Sequence, residues 1–122
     1  PEAHRAKVGA TGAEVRVLPA EFPPLAGGGR ASISLAALVE SFGKSGYLNV
    51  LCEGGASLAS SFVNAGLVDE LLLFVAPMIL GAGSKRTFGE FPFDLPTAPR
   101  FKIDSVRNLG CDLLVRAFPR EK

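Results

Sequence analysis

The stretch Asn49-Val50-Leu51-Cys52-Glu53-Gly54-Gly55-Ala56-Ser57-Leu58 constrains the fold of this chain more than any other. Tyr47 to Cys52 is an apolar run with one interruption, the pattern of a strand buried on both faces, as in a parallel sheet. Glu53 and the glycine pair then form a tight turn into a predicted helix. Such a junction points backbone N–H groups outward from the helix N-terminus, where they can receive an anion such as a phosphate. Glycines there let ligand and backbone approach more closely than any Cβ would permit. The pair alone is a weak signal that could also serve packing, and it is not the G-x-G-x-x-G fingerprint, because no third glycine follows at the required spacing. Glu53 raises the weight of a functional reading, since an acid at the end of an apolar strand is costly unless it meets water, a cation or a ligand.

The neighbouring segments supply the frame. Ala3 to Gly12 reads as the end of an amphipathic helix closed by glycine, and Glu14 to Leu18 alternates as a half-buried strand would. Pro19 to Arg30, with three prolines and Gly27-Gly28-Gly29, reads as a loop. Ser34 is an N-cap for a helix with Leu35, Leu38, Val39 and Phe42 on one stripe. A second helix is predicted from Ala56 to Ala65 and ends at Gly66. Leu71 to Ala76 reads as another two-sided strand, stopped by Pro77, and Gly81 to Pro99 as a long loop. Phe101 to Val106 and Asp112 to Ala117 form a terminal hairpin across Asn108-Leu109-Gly110. Strands alternating with helices predict an α/β fold, a mostly parallel sheet with right-handed crossovers and flanking helices, plus a C-terminal antiparallel hairpin. Ligands bind outside the carboxyl ends of such strands. Glu53-Gly54-Gly55 and the Pro77–Gly83 segment are therefore expected side by side.

Size and charge narrow the function. A chain of 122 residues, 48% hydrophobic and 20% charged, suits one globular domain over 1–122. A net charge of +1, from 13 basic and 12 acidic residues, gives no support to nucleic-acid binding. The longest apolar run, Leu71 to Leu80, is about half of what a bilayer span requires, so no membrane association is expected. Without a signal peptide at the N-terminus, a cytoplasmic setting is the default. The chain opens on Pro1 and enters structure directly, which suggests the later part of a longer polypeptide. Cys52 and Cys111 fall in predicted strands and are expected as buried free thiols. His4 is the single histidine and no C-x-x-C occurs, which argues against a zinc or histidine-based site.

Other candidates are weaker. Gly43-Lys44-Ser45 lacks the P-loop glycine, having Leu38 in its place. Asp69 and Glu70 are adjacent on a strand entrance and would face opposite ways, which favours a structural role over a catalytic pair. Gly81-Ala82-Gly83-Ser84-Lys85-Arg86 offers either a phosphate contact or a solvated turn. Phe88, Phe91 and Phe93 would plug the core edge or stack on a flat ring.

Three segments in this order resemble one known family: Leu51 to Leu58, Gly66-Leu67-Val68-Asp69-Glu70-Leu71, and Ala76-Pro77-Met78-Ile79-Leu80-Gly81. It is the reductase domain of the bifunctional riboflavin-biosynthesis deaminase/reductase, a relative of dihydrofolate reductase, and the likeness covers nearly the whole chain. The resemblance implies a dihydrofolate-reductase-like fold lacking its N-terminal portion. It also implies NADPH-dependent reduction of the ribosyl group of 5-amino-6-(5-phosphoribosylamino)uracil, or a close pyrimidine, to the ribityl form, and a homodimer. Glu53 would contact substrate, and Gly54, Gly55, Ala56, Ser57, Leu58, Ala59, Ser60 and Ser61 would line the cofactor site. Lys85 and Arg86 are the basic residues offered for a 2′-phosphate. No catalytic residue and no metal ligand is assigned. The deaminase signatures H-x-E and P-C-x-x-C are absent, so no deaminase activity is assigned either. The alternatives are a non-catalytic nucleotide-binding or dimerisation module of the same fold, and a related oxidoreductase of the dihydrofolate-reductase type.

Overall fold

The computed structural model describes residues 2–13, 15–21, 32–81, 83–89 and 94–120. The expectations for Glu14, most of the Pro19–Arg30 loop, Ala82, Phe91 and Phe93 lie outside them, as does the His4 side chain. The chain divides into two compact units, Pro1–Tyr47 and Leu48–Lys122.

In the first unit, helix α1 (Glu2–Gly9) ends in a turn in which Thr11 donates from N and Oγ1 to the Val8 carbonyl. Gly12 follows at φ +84°, in the left-handed region that favours glycine. Residues 15–19 are not a strand. Among the described residues of this unit, the only strand pairing is between the short β1 (Ala20–Glu21) and β2 (Ser32–Ile33), antiparallel and extended by a bond from Ser34 N to the Pro19 carbonyl at 2.9 Å. Helix α2 (Leu35–Lys44) starts where the sequence places it. Ser34 is buried, and its Oγ accepts from Ala37 N at 3.3 Å. This bond satisfies one of the four amides that a helix start leaves without a partner. Leu35 is buried beside the cap, and Lys44 pairs with Glu40 at 2.6 Å across one turn. Arg16 donates to Ser45 Oγ at 2.7 Å, tying the 15–19 segment to the end of α2.

In the second unit, residues 48–55 run as irregular backbone into helix α3 (Ala56–Asn64), which Gly66 closes at φ +66°. The strands β3 (Leu71–Val75), β4 (Phe101–Leu109) and β5 (Asp112–Pro119) form a sheet in the order β3-β5-β4, antiparallel throughout. The hairpin loop is Gly110-Cys111, which shares Gly110 with the predicted turn and ends one residue later. Gly110 has φ +66°, the sign a two-residue II′ loop asks of its first position. Leu114 and Ala117 on the central strand β5 are buried, opposite Phe74 and Leu71 of β3. A register shift between Ile103 and Ser105 makes a bulge at Asp104. It brings Asp104 to 3.9 Å from Arg116, whose Nε donates to Glu70 at 2.5 Å. Arg116 also lies over the Phe118 ring at 5.0 Å.

Three expectations are corrected. The strand predicted over Tyr47–Cys52 does not form, and no parallel pair occurs among the described residues. A strand of that composition needs partners on both edges and cover on both faces; none of the described strands supplies them, so Leu48 is 94% and Leu51 75% exposed. The cysteines are free but exposed, Cys52 on that bare segment and Cys111 in the hairpin loop. Of the half-buried strand expected over 14–18, the described residues 15–18 are irregular backbone, tied down by the side-chain bonds of Arg16.

Candidate functional site

The start of α3 is built differently from that of α2. Gly55 is its N-cap residue, extended at φ −64° and ψ 173°, and has no side chain with which to cap. Its carbonyl accepts from Leu58 N and Ala59 N at 3.0 and 3.1 Å, which begins the helix. The amides of the first turn are thus left without a side-chain acceptor, at the positive end of the helix dipole.

The two glycines differ in what holds them. A Cβ at Gly54 would fall 2.5 Å from Leu58 Cδ2 and 3.1 Å from its Cβ, so Leu58 occupies that space. A Cβ at Gly55 would meet nothing within 4 Å, and Gly55 does not have a positive φ. Neither strain nor crowding among the described residues requires glycine at 55. What glycine preserves there is the open space a Cβ would fill beside the uncapped start of the helix. Glu53, Gly54 and Gly55 are exposed, and among the described residues the Glu53 carboxylate has no hydrogen-bond or ion-pair partner.

Along the helix, Ser57 and Leu58 are exposed and Ala56 and Ala59 half-buried. Ser60 is 4% exposed, and its Oγ accepts from the Gly89 amide at 2.8 Å. The same amide lies 3.2 Å from the Ala56 carbonyl. Ser61 turns its hydroxyl back to the Ser57 carbonyl at 2.9 Å. The cofactor candidates therefore separate into an outward set, Gly54 to Leu58, and two serines whose oxygens are engaged within the protein. The loop after β3 reaches α3 through Gly89 rather than through the Pro77–Gly83 turn, and Ser84, Lys85 and Arg86 on its way are exposed. No local signal in the sequence marks Gly89. Glu70 has the structural role favoured for it, as the partner of Arg116.

The family model for the RibD C-terminal domain matches residues 5–115. The chain belongs to the RibD C-terminal domain family. The riboflavin biosynthesis protein RibD of Buchnera aphidicola is 38% identical over 82 residues, covering 66% of this chain and 22% of that protein. The Escherichia coli RibD is 35% identical over 83 residues, with the same two coverages. A 2,5-diamino-6-ribosylamino-4(3H)-pyrimidinone 5′-phosphate reductase of Methanothermobacter thermautotrophicus is 35% identical over 89 residues, 71% of this chain and 41% of its own length. Among solved structures, Acinetobacter baumannii RibD superposes with a TM-score of 0.67 at 33% identity, over 71% of this chain and 25% of that one. The fold is accordingly the dihydrofolate-reductase-like fold of RibD, represented in part. The chain spans about a fifth to two fifths of the length of these curated relatives. Among the described residues, no helix is long and apolar enough to cross a membrane.

Proposed function

We propose that this chain forms, as one reductase-type domain, the cofactor-binding part of an NADPH-dependent reductase of riboflavin biosynthesis. It would act on 5-amino-6-(5-phosphoribosylamino)uracil or a close pyrimidine and reduce the ribosyl group to ribityl. The observation that carries this reading is the open, side-chain-free start of α3 at Gly55, with Glu53 unpartnered beside it. Membership of the RibD C-terminal domain family gives that geometry its chemistry.

NADPH, when bound, supplies the hydride, so the protein's work is binding and orientation. The first-turn amides behind Gly55, with Ala56 and Ser57, suit the pyrophosphate, because a bulky or acidic side chain there would block or repel it. Gly54, Leu58 and Ala59 shape the surface beside it, and Ser60 and Ser61 support it from within the helix. Glu53 orients substrate hydroxyl or amino groups by accepting their hydrogen bonds. On this reading the protein works in the cytoplasm as a homodimer, a state that sedimentation checks.

Titration of the purified protein with NADPH and with NADH tests the cofactor claim; binding of neither overturns it. Binding without turnover of the pyrimidine favours a non-catalytic nucleotide-binding module instead. Glu53→Ala is expected to raise the substrate KM about tenfold or more, as loss of a charged hydrogen-bond acceptor does, with NADPH affinity unchanged. Unaltered kcat and KM would remove Glu53 from the site.

A further inference from the structure

Ser60 and Gly89 make a contact that the cofactor reading leaves unused. Ser60 sits one turn into α3, buried to 4% exposure, on a helix whose other serines are exposed or half-buried. Burying a hydroxyl is costly unless it is hydrogen-bonded. Here the cost is offset by one specific partner, the Gly89 amide at 2.8 Å, 29 residues further along the chain. The backbone at Gly89 lies directly on the helix. An added Cβ would stand 3.4 Å from Ser60 Oγ, 3.7 Å from the Ala56 carbonyl oxygen and 3.7 Å from Ser57 Cα. A methyl group there would already be in van der Waals contact with the helix, so a side chain branched at Cβ is set against it. The bond thus fastens the end of the 83–89 segment, which carries Lys85 and Arg86, to the first two turns of α3. Those turns also hold the open amides behind Gly55.

We propose that Ser60 is a positioning residue for nucleotide binding: it holds the 83–89 segment against the first two turns of α3 and so fixes that segment beside the phosphate-receiving amides. The inference rests on the cofactor reading and refines it. Ser60 acts through Gly89, not by touching the nucleotide. Two routes disturb the contact independently. Ser60→Ala removes the nearer of the two acceptors of the Gly89 amide, leaving the Ala56 carbonyl at 3.2 Å, whereas Gly89→Val keeps both acceptors and is expected to push the segment away.

The test measures NADPH affinity by fluorescence titration and exchange of the Gly89 amide proton by NMR on the same purified protein. Ser60→Ala is expected to speed Gly89 exchange and weaken NADPH binding about three- to tenfold, the worth of one ordinary hydrogen bond. Gly89→Val should weaken NADPH binding at least as much. Ser60→Thr retains the hydroxyl and should restore both readouts, which a general packing defect would not do. Faster Gly89 exchange in Ser60→Ala with NADPH affinity unchanged overturns the positioning role while the cofactor site stands. Failure of the unaltered protein to bind NADPH overturns the cofactor site and this inference with it.

Discussion

Helices α2 and α3 are similar in length and in their apolar content, yet their N-termini are finished in opposite ways. At α2, Ser34 bends its hydroxyl onto Ala37 N, and the cap is sealed by the buried Leu35. At α3, Gly55 offers no side chain, and the space in front of it is empty to 4 Å. A capped start contributes about 1 kcal/mol to a helix, and glycine recovers part of that by solvation of the free amides. The start of α2 is capped by its own side chain, whereas that of α3 is not, and it is the latter end that we propose receives the cofactor.

The comparison can be broken most directly by giving α3 the cap it lacks. Gly55→Asp supplies an acceptor to the first-turn amides and a negative charge where the pyrophosphate is proposed to lie. NADPH affinity should fall about a hundredfold, while thermal stability holds or rises by a few tenths of a kcal/mol. Loss of stability together with affinity would mean that the open end is needed for folding and not for a ligand. The reciprocal change, Ser34→Ala, should cost about 1 kcal/mol and lower the Tm by a few degrees, with NADPH affinity unchanged. A change in affinity there would erase the distinction between the two ends.

The smallest effect concerns the far end of α2. Lys44 beside Glu40 holds that carboxyl below its usual value of 4.5, through a hydrogen bond and through charge. A carboxyl whose folded pKa is lowered favours the folded state above the unfolded value and loses that contribution as pH falls through the folded one. Melting curves should therefore show a slight loss of stability below about pH 4.5, abolished in Glu40→Gln; because the pair is solvent-exposed, the effect should also fade with salt. A loss that survives in Glu40→Gln would assign it to another carboxylate.

What the sequence made legible was mostly local. Ser34 announces a helix because its cap bonds to a residue three positions on, and Gly66 and Gly110 announce turns because their backbones take positive φ. The candidate site was proposed for the same reason, since the apolar run, the glycine pair and the helix start are contiguous. Pairing is not local. Tyr47–Cys52 carries the composition of an inner strand, but composition cannot supply the neighbours a strand must bond to, and the segment stays bare in this chain. The Ser60–Gly89 bond joins residues far apart in sequence, and nothing in the residues around Gly89 marks it as a docking point. The same limit applied to the two cysteines, whose predicted burial depended on strands reaching positions 52 and 111.

The bare apolar segment has a practical consequence for anyone handling this protein. Tyr47 to Cys52 has no charge, no proline and no glycine and is apolar but for Asn49, features shared with cross-β segments. Its flanking charges, Lys44 on one side and Glu53 on the other, are its only gatekeepers. Solutions of this chain should cloud with increasing concentration, and a charge placed at the fully displayed Leu48 should keep them clear.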